Sequence, residues 1–169
     1  MIGRYSSRLS REEMSGVLTS ALYGATQYDR IAGYFRSSIL EVAGEALDQM
    51  AAGTVARVIC NSQLDALDVK TAHAAKQAMY REWCESLPSD IPPALKLRLE
   101  RLYRLMESGR LEVRVLPDEC FGLVHGKAGV VTRADGSRFC FMGSTNESKS
   151  AWVLNYELVW TDDSDEGIR

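Results

Sequence analysis

Apolar and polar positions follow two regimes along this chain: helical spacing dominates the first two thirds and strand alternation the last. From Ser10 to about Tyr23, Met14, Val17, Leu18 and Ala21 form one apolar stripe. Ser10, with Glu13 three residues on, is a capping-box start for that helix. Tyr28 to Phe35 reads as a strand, with Ile31 and Tyr34 near its end. Ser37 or Ser38 then caps a second helix carrying Leu40, Ala43, Ala46, Leu47 and Met50 on one side, and Gly53 stops it. Val55 to Cys60 is a short β-branched run, the signature of a buried strand. Leu64 to Leu87 is a long helical stretch, and Pro88, Pro92 and Pro93 break the chain after it. A further helix runs from Ala94 to about Ser108, with Leu95, Leu99, Leu102 and Met106 at helical spacing and Gly109 at its end.

Beyond Gly109 the period changes to two. Leu111 to Leu116, Leu123 to Thr132, Arg138 to Gly143 and Leu154 to Trp160 read as strands. Arg133 to Ser137, around Asp135 and Gly136, is a hairpin turn joining the middle two. The predicted order is αβαβαα followed by ββββ, a single α/β domain with a mixed sheet flanked by helices. The domain is expected over residues 1–162, with 163–169 an acidic tail or the start of a linker.

Composition narrows the class without deciding it. The chain has 169 residues, 46% hydrophobic and 25% charged, an ordinary globular balance that suits one domain with a sizeable core. No apolar run approaches the about 18 residues of a spanning helix, so no membrane role is expected. The N-terminus has Arg4, Arg8 and Arg11 but no apolar core, so no cleaved leader is expected either. Cysteines at 60, 84, 120 and 140 are too far apart for a metal knuckle and fit reduced thiols in a cytoplasmic protein. The net charge of −3 does not advertise nucleic-acid binding. A local basic stretch does exist: Lys96, Arg98, Arg101, Arg104, Arg110 and Arg114, interrupted by Glu100, Glu107 and Glu112. Such a run is more often a solvated helix face than a binding surface.

The candidate chemistry lies in the last third. His125 and Lys127 are two apart, which on a strand places them on one face, with Gly126 between them turned away and open to close approach by another backbone. A histidine beside a lysine is a poor core element and a good phosphate site: the ammonium fixes non-bridging oxygens and the imidazole attacks or moves protons. Gly143-Ser144-Thr145-Asn146 follows a strand and offers a hydroxyl, an amide and backbone N–H groups to an anion. Glu157 is the one carboxylate in the stretch Leu154 to Trp160 and is suited to hold an imidazole nitrogen, as a carboxylate does in a triad. Taken singly, each piece is usually structural. The ordered set is what carries the signal.

The runs HGKAGVV and FMGSTN and the later NYE resemble the single HKD motif of the phospholipase D superfamily, H-x-K-x4-D-x6-G-S-x-N followed by a Glu. His125, Lys127, Gly143, Ser144 and Asn146 match it residue by residue, and Glu157 lies eleven positions after Asn146. Two departures stand out. The family's Asp falls at Thr132, and His125 to Gly143 spans 18 positions where the pattern gives 14, the excess lying in the hairpin turn around Asp135.

The resemblance implies a phospholipase D-like fold and a metal-independent, cofactor-free phosphodiesterase of the nuclease branch. One histidine attacks phosphorus and a second protonates the leaving oxygen. The chain has one motif, and its other histidine, His73, has no Lys two places on. A second subunit is therefore required to supply the second His125, giving a homodimer with a two-fold axis through the site. His125, Lys127, Ser144, Asn146 and Glu157 are the expected catalytic set, with Gly143, Arg98, Arg101 and Arg104 expected at the substrate. Nucleic acid, DNA before RNA, is the implied substrate, and a fused or associated helicase of a bacterial defence system an implied partner. Two other classes stay open: a module that grips nucleic acid and dimerises without cleaving it, and a lipid phosphodiesterase.

Overall fold

Ser10 opens the first helix as its sequence implies. Its Oγ accepts the Glu13 backbone N–H at 3.1 Å, and α1 runs Arg11–Leu22 with Met14, Leu18 and Leu22 fully buried. The computed structural model describes residues 2–8, 10–61, 64–76, 89, 91–116, 124–164 and 166. Strand β2 (Gln27–Ile31) turns Tyr28 and Arg30 inward and stops four residues before the expected end at Phe35. A 3-10 turn, Ser37–Ile39, leads into α2 (Leu40–Asp48), and neither serine side chain caps it. Instead the Ser37 N–H donates to Asp68 Oδ2 at 2.7 Å. Helix α2 ends five residues before Gly53, which lies in the turn to β3 (Ala56–Cys60).

Helix α3 (Ala66–Lys76) covers the first half of the stretch expected as Leu64 to Leu87; residues 77–88 lie outside the described residues. Helix α4 (Pro93–Glu107) starts on proline, which at the first helical position loses no hydrogen bond. Strand β4 (Leu111–Val115) precedes β5 (Ala128–Thr132) and β6 (Arg138–Gly143). The β5–β6 turn is the one expected around Asp135, whose Oδ1 accepts from the Ser137 N–H at 2.9 Å.

Three expectations need correcting. The strand expected from Leu123 begins only at Ala128, so His125 and Lys127 stand just before it. The strand expected from Leu154 to Trp160 is β7 (Leu158–Asp162), and Ser150–Leu154 is a single π-helical turn. A strand precedes the first helix: β1 (Ile2–Ser6) pairs antiparallel with β7 along its whole length. With only Ile2 and Tyr5 as apolar residues, β1 has no periodic pattern to read; its order comes from the partner at the far end of the chain.

The sheet order is β1-β7-β6-β5-β2-β3-β4. Strands β2, β3 and β4 are parallel, joined through helices, and β5, β6, β7 and β1 are antiparallel. Residues of α1, α2 and α4 share one core with Tyr28, Val58, Val131, Phe141 and Val159 from one face of the sheet. Alternation puts Met142, Leu158 and Trp160 on the other face, where they are exposed. Burial raises the Cys60 thiol to about 11, so it is an inert core residue. Cys84 and Cys120 lie outside the described residues. No described helix is long and apolar enough to cross a membrane.

Candidate active site

The site forms where the central strands run out. Ile31 of β2 pairs with Ala128, the first residue of β5, so residues 124–127 extend past the end of β2. His125 is exposed there and Lys127 is buried, at 9% exposure. Their side chains meet without the help of a strand: Lys127 Nζ donates to the His125 carbonyl at 2.7 Å and lies 3.2 Å from His125 Nδ1. Gly126 is exposed, and among the described residues no backbone approaches the space a Cβ would fill, against expectation. Burial pushes the Lys127 ammonium down from the ordinary lysine value; Glu157 opposes that shift and Arg30 adds to it.

The segment from Gly143 closes the other side. Gly143 and Ser144 do not offer free N–H groups, as the sequence suggested. The Gly143 N–H donates to Lys127 O at 3.0 Å and the Ser144 N–H to Leu158 O at 3.0 Å. A Cβ on Gly143 would lie 1.9 Å from Leu158 O, so the glycine is required for β6 and β7 to approach. It builds the site and does not present a donor to substrate. Asn146 Oδ1 accepts from the Gly33 N–H at 2.8 Å and the Tyr34 N–H at 3.3 Å, which leaves its amide NH2 as the side-chain donor. Gly33 itself sits tight against the site: a Cβ there would lie 2.8 Å from Asn146 Oδ1 and 3.4 Å from Lys127 Nζ.

Glu157 stands just before β7, at 7% exposure. It does not bond the imidazole within the chain. Its carboxylate accepts from Ser144 Oγ, and from Asn155 Nδ2 at 3.5 Å, while its backbone N–H donates to Ser7 Oγ at 2.8 Å. The expected triad-like pair is thus replaced by a Lys127–His125 contact and a Ser144–Glu157 contact.

Behind these groups lies a network that the sequence did not announce. Arg30, 2% exposed, pairs with Glu147, 3% exposed, through Nε and Oε2 at 2.9 Å. Its Nη2 donates to Thr145 O at 2.6 Å, and its guanidinium carbon lies 4.9 Å from the centre of the Phe141 ring. The Tyr28 hydroxyl donates to Glu147 Oε1 at 3.1 Å, and burial raises its pKa well above the usual tyrosine value. Arg30 therefore holds the carbonyl between Ser144 and Asn146 from below. An arginine at an inward strand position was the available signal, since it requires a buried acid somewhere else in the chain.

The arginines expected at the substrate are engaged elsewhere. Arg98 Nη1 pairs with Glu41 at 2.6 Å and Arg101 Nε with Asp48 at 3.2 Å, tying α4 to α2. Arg104 lines a surface concavity with Leu97, Glu100, Tyr103 and Glu107. None of the three hydrogen-bonds to His125, Lys127, Ser144, Asn146 or Glu157, and Arg98 and Arg101 are interhelix ties and not a solvated face. Among the described residues no group of three or more His, Cys, Asp or Glu side chains is placed to hold a metal ion.

A family model described as cardiolipin synthase, PLD-like domain, matches residues 18–168. The comparison with curated proteins gives no match. Among solved structures, NucT from Helicobacter pylori superposes with a TM-score of 0.59 at 16% identity, over 99% of this chain and 88% of that one. Nuc from Salmonella typhimurium, described as a phospholipase D family member, gives 0.52 at 13% identity, over 95% and 81%. Yeast tyrosyl-DNA phosphodiesterase gives 0.53 at 9% identity, over 96% of this chain and 32% of that one. These likenesses establish the fold.

Proposed function

Because the chain belongs to the phospholipase D superfamily through a PLD-like domain spanning residues 18–168, we propose that it is a metal-independent phosphodiesterase of the nuclease branch, with a homodimeric active site. The observation that carries this reading is the convergence of Lys127 Nζ on His125, 3.2 Å from the ring nitrogen, with Asn146 beside Lys127 across Gly33. A cation, an imidazole, a hydroxyl and an amide donor are a set matched to a phosphodiester and not to a neutral ligand. The names of the superposed proteins point the same way, one of them a tyrosyl-DNA phosphodiesterase, and favour nucleic acid, DNA first, as substrate.

In the proposed reaction an imidazole nitrogen of His125 forms a bond to phosphorus as the P–O bond to the leaving group breaks. The departing oxygen takes a proton from the partner's His125. Water then gives its proton back to that ring as its oxygen attacks phosphorus and the P–N bond breaks. Lys127 and the Asn146 amide hold the non-bridging oxygens. An ammonium has donors only, so while Lys127 is charged Nδ1 accepts, and the neutral ring carries its proton on Nε2. In that form the ring is neither acid nor nucleophile; the acid is the partner's ring as imidazolium, with a proton on both nitrogens. A phosphate oxygen is a stronger partner for Nζ than an imidazole nitrogen. Its arrival draws Lys127 off Nδ1 and lets the ring present an unprotonated Nε2. The exposed apolar side chains Met142, Leu158 and Trp160 on the open sheet face support association with a second copy.

A second reading, phosphate binding and dimerisation without turnover, is favoured by Thr132 in place of the motif Asp. The test is cleavage by the purified chain in EDTA, with single- and double-stranded DNA, RNA and phosphatidylcholine offered in parallel. Nucleic-acid cleavage that disappears in His125→Ala is expected. Binding with no turnover establishes the second reading, and turnover of phosphatidylcholine alone overturns the choice of substrate.

A further inference from the structure

The stem of His125 lies outside the β5 ladder, yet the imidazole must hold a fixed place to attack. Asn61, 3% exposed and directly after β3, supplies what the ladder does not. Its Nδ2 donates to Val124 O at 2.8 Å, and its Oδ1 accepts from the Val124 N–H at 2.9 Å. Both polar groups of the side chain thus engage both backbone groups of the residue before His125. Strand β2, which separates β3 from β5, has ended at Ile31, and the amide of Asn61 stands in for the peptide that a longer β2 would have offered. The backbone N–H of Asn61 donates to Gly33 O at 3.3 Å, and the Gly33 N–H donates to Asn146 Oδ1. One residue therefore ties together the histidine stem and the loop that fixes Asn146.

We propose that Asn61 is the positioning residue of His125. The inference rests on the phosphodiesterase reading for its effect on rate, but the clamp itself is tested separately. No neighbouring residue type replaces it. Alanine loses both bonds. Aspartate keeps the acceptor for the Val124 N–H but sets a carboxylate against the Val124 carbonyl. A misplacement of about 1 Å at a reacting group costs on the order of 10²-fold in rate.

Asn61→Ala, Asn61→Asp and, as a destabilised control in the α4 core, Leu99→Ala are compared as full chains on a thymidine dinucleotide. Asn61→Ala is expected to lower kcat by about 10- to 10²-fold with KM within about threefold. Asn61→Asp is expected to fall between it and the wild type, and Leu99→Ala to keep wild-type kcat. Amide exchange at Val124 and the ring nitrogen spectrum of His125 are read on the same samples without substrate. Val124 should lose protection selectively in Asn61→Ala, and the His125 ring signals should move. Wild-type kcat in folded Asn61→Ala, or a loss confined to KM, overturns the proposal. If the wild type turns over no diester, the phosphodiesterase reading fails, and unchanged Val124 protection and His125 ring signals in Asn61→Ala overturn the positioning role independently.

Discussion

Glu147→Gln isolates the buried support of the site. The substitution keeps the size of the side chain and an oxygen for the Tyr28 hydroxyl but removes the charge that faces Arg30. The side chains are 0% and 4% exposed, so water does not compensate. Arg30 cannot shed its proton in response, because guanidinium stays charged at any accessible pH. Among the described residues its remaining oxygen partner is Thr145 O, and Nη1 has no hydrogen-bond partner. Removing one member of a buried pair costs about 3–5 kcal/mol, against a total stability on the order of 5–15 kcal/mol. With a urea slope of about 2 kcal/mol/M, the unfolding midpoint should fall by about 1.5–2.5 M with the slope unchanged. Because Arg30 also holds the Thr145 carbonyl, turnover should fall in the folded variant as well. Urea unfolding followed by far-UV circular dichroism, with turnover measured below the transition, checks both. A loss below about 1 kcal/mol would refute the argument, since it would mean that Arg30 finds solvent or another acid and is not held by this pair.

Three further outcomes follow from the site. His125→Ala should abolish cleavage yet unfold within about 0.5 kcal/mol of the wild type, because the ring is exposed and, among the described residues, its side-chain hydrogen-bond partner is Lys127; turnover and urea midpoint on one preparation decide it. Lys127 is pushed below its ordinary value by burial, so activity that needs the ammonium is present at lower pH and lost as pH rises through that lowered value. Lys127→Arg should move this alkaline limb upward, while Glu157→Gln, by removing the carboxylate that holds Lys127 protonated, should move it downward; pH–rate profiles of the three proteins check the order. Sedimentation at micromolar concentration should give a dimer, and mixing His125→Ala with wild-type chains should yield heterodimers without turnover, since each complete site needs both rings.

How much of this was legible depends on how local each signal is. The Ser10 cap, the turn at Asp135 and the apolar stripes of α1, α2 and α4 depend on neighbours within a few residues, and they stand where the sequence puts them. His125, Lys127, Ser144, Asn146 and Glu157 lie in the short segments that enter β5, leave β6 and enter β7, and the pairing of those strands brings the segments to one edge. What the spacing does not encode is which partner each group takes. Glu157 reads as a partner for imidazole but is claimed by the Ser144 hydroxyl, 13 residues away in the chain. The N–H groups of Gly143 and Ser144 read as free because the strands that absorb them are not visible as partners in the sequence. Arg30 and Glu147 are 117 residues apart, so an arginine at an inward strand position signals a buried acid without saying which one. Strand β1 is the extreme case, since its order comes from β7 at the other terminus.

The one departure from the motif that bears on activity is Thr132, and its place in the fold limits what its identity can change. Lys127 precedes the first residue of β5 and Thr132 is the last, so the two are about 16 Å apart along the strand at 3.3 Å per residue. Thr132 pairs with Gln27 and Arg138, and its carbonyl accepts from the Thr26 N–H at 2.8 Å and the Thr26 hydroxyl at 3.2 Å. All of these contacts belong to the hairpin end of the sheet, opposite the end where His125 stands. A side chain there acts on how β5 meets β2 and on the turn that follows, where the four extra residues of this chain also lie. The turn carries its own carboxylate at Asp135, spent on the Ser137 N–H. The replaced Asp and the lengthened turn are therefore one local change at the distal end of the hairpin, and the register of β5 that delivers Lys127 is kept by its five pairings with β2 and five with β6.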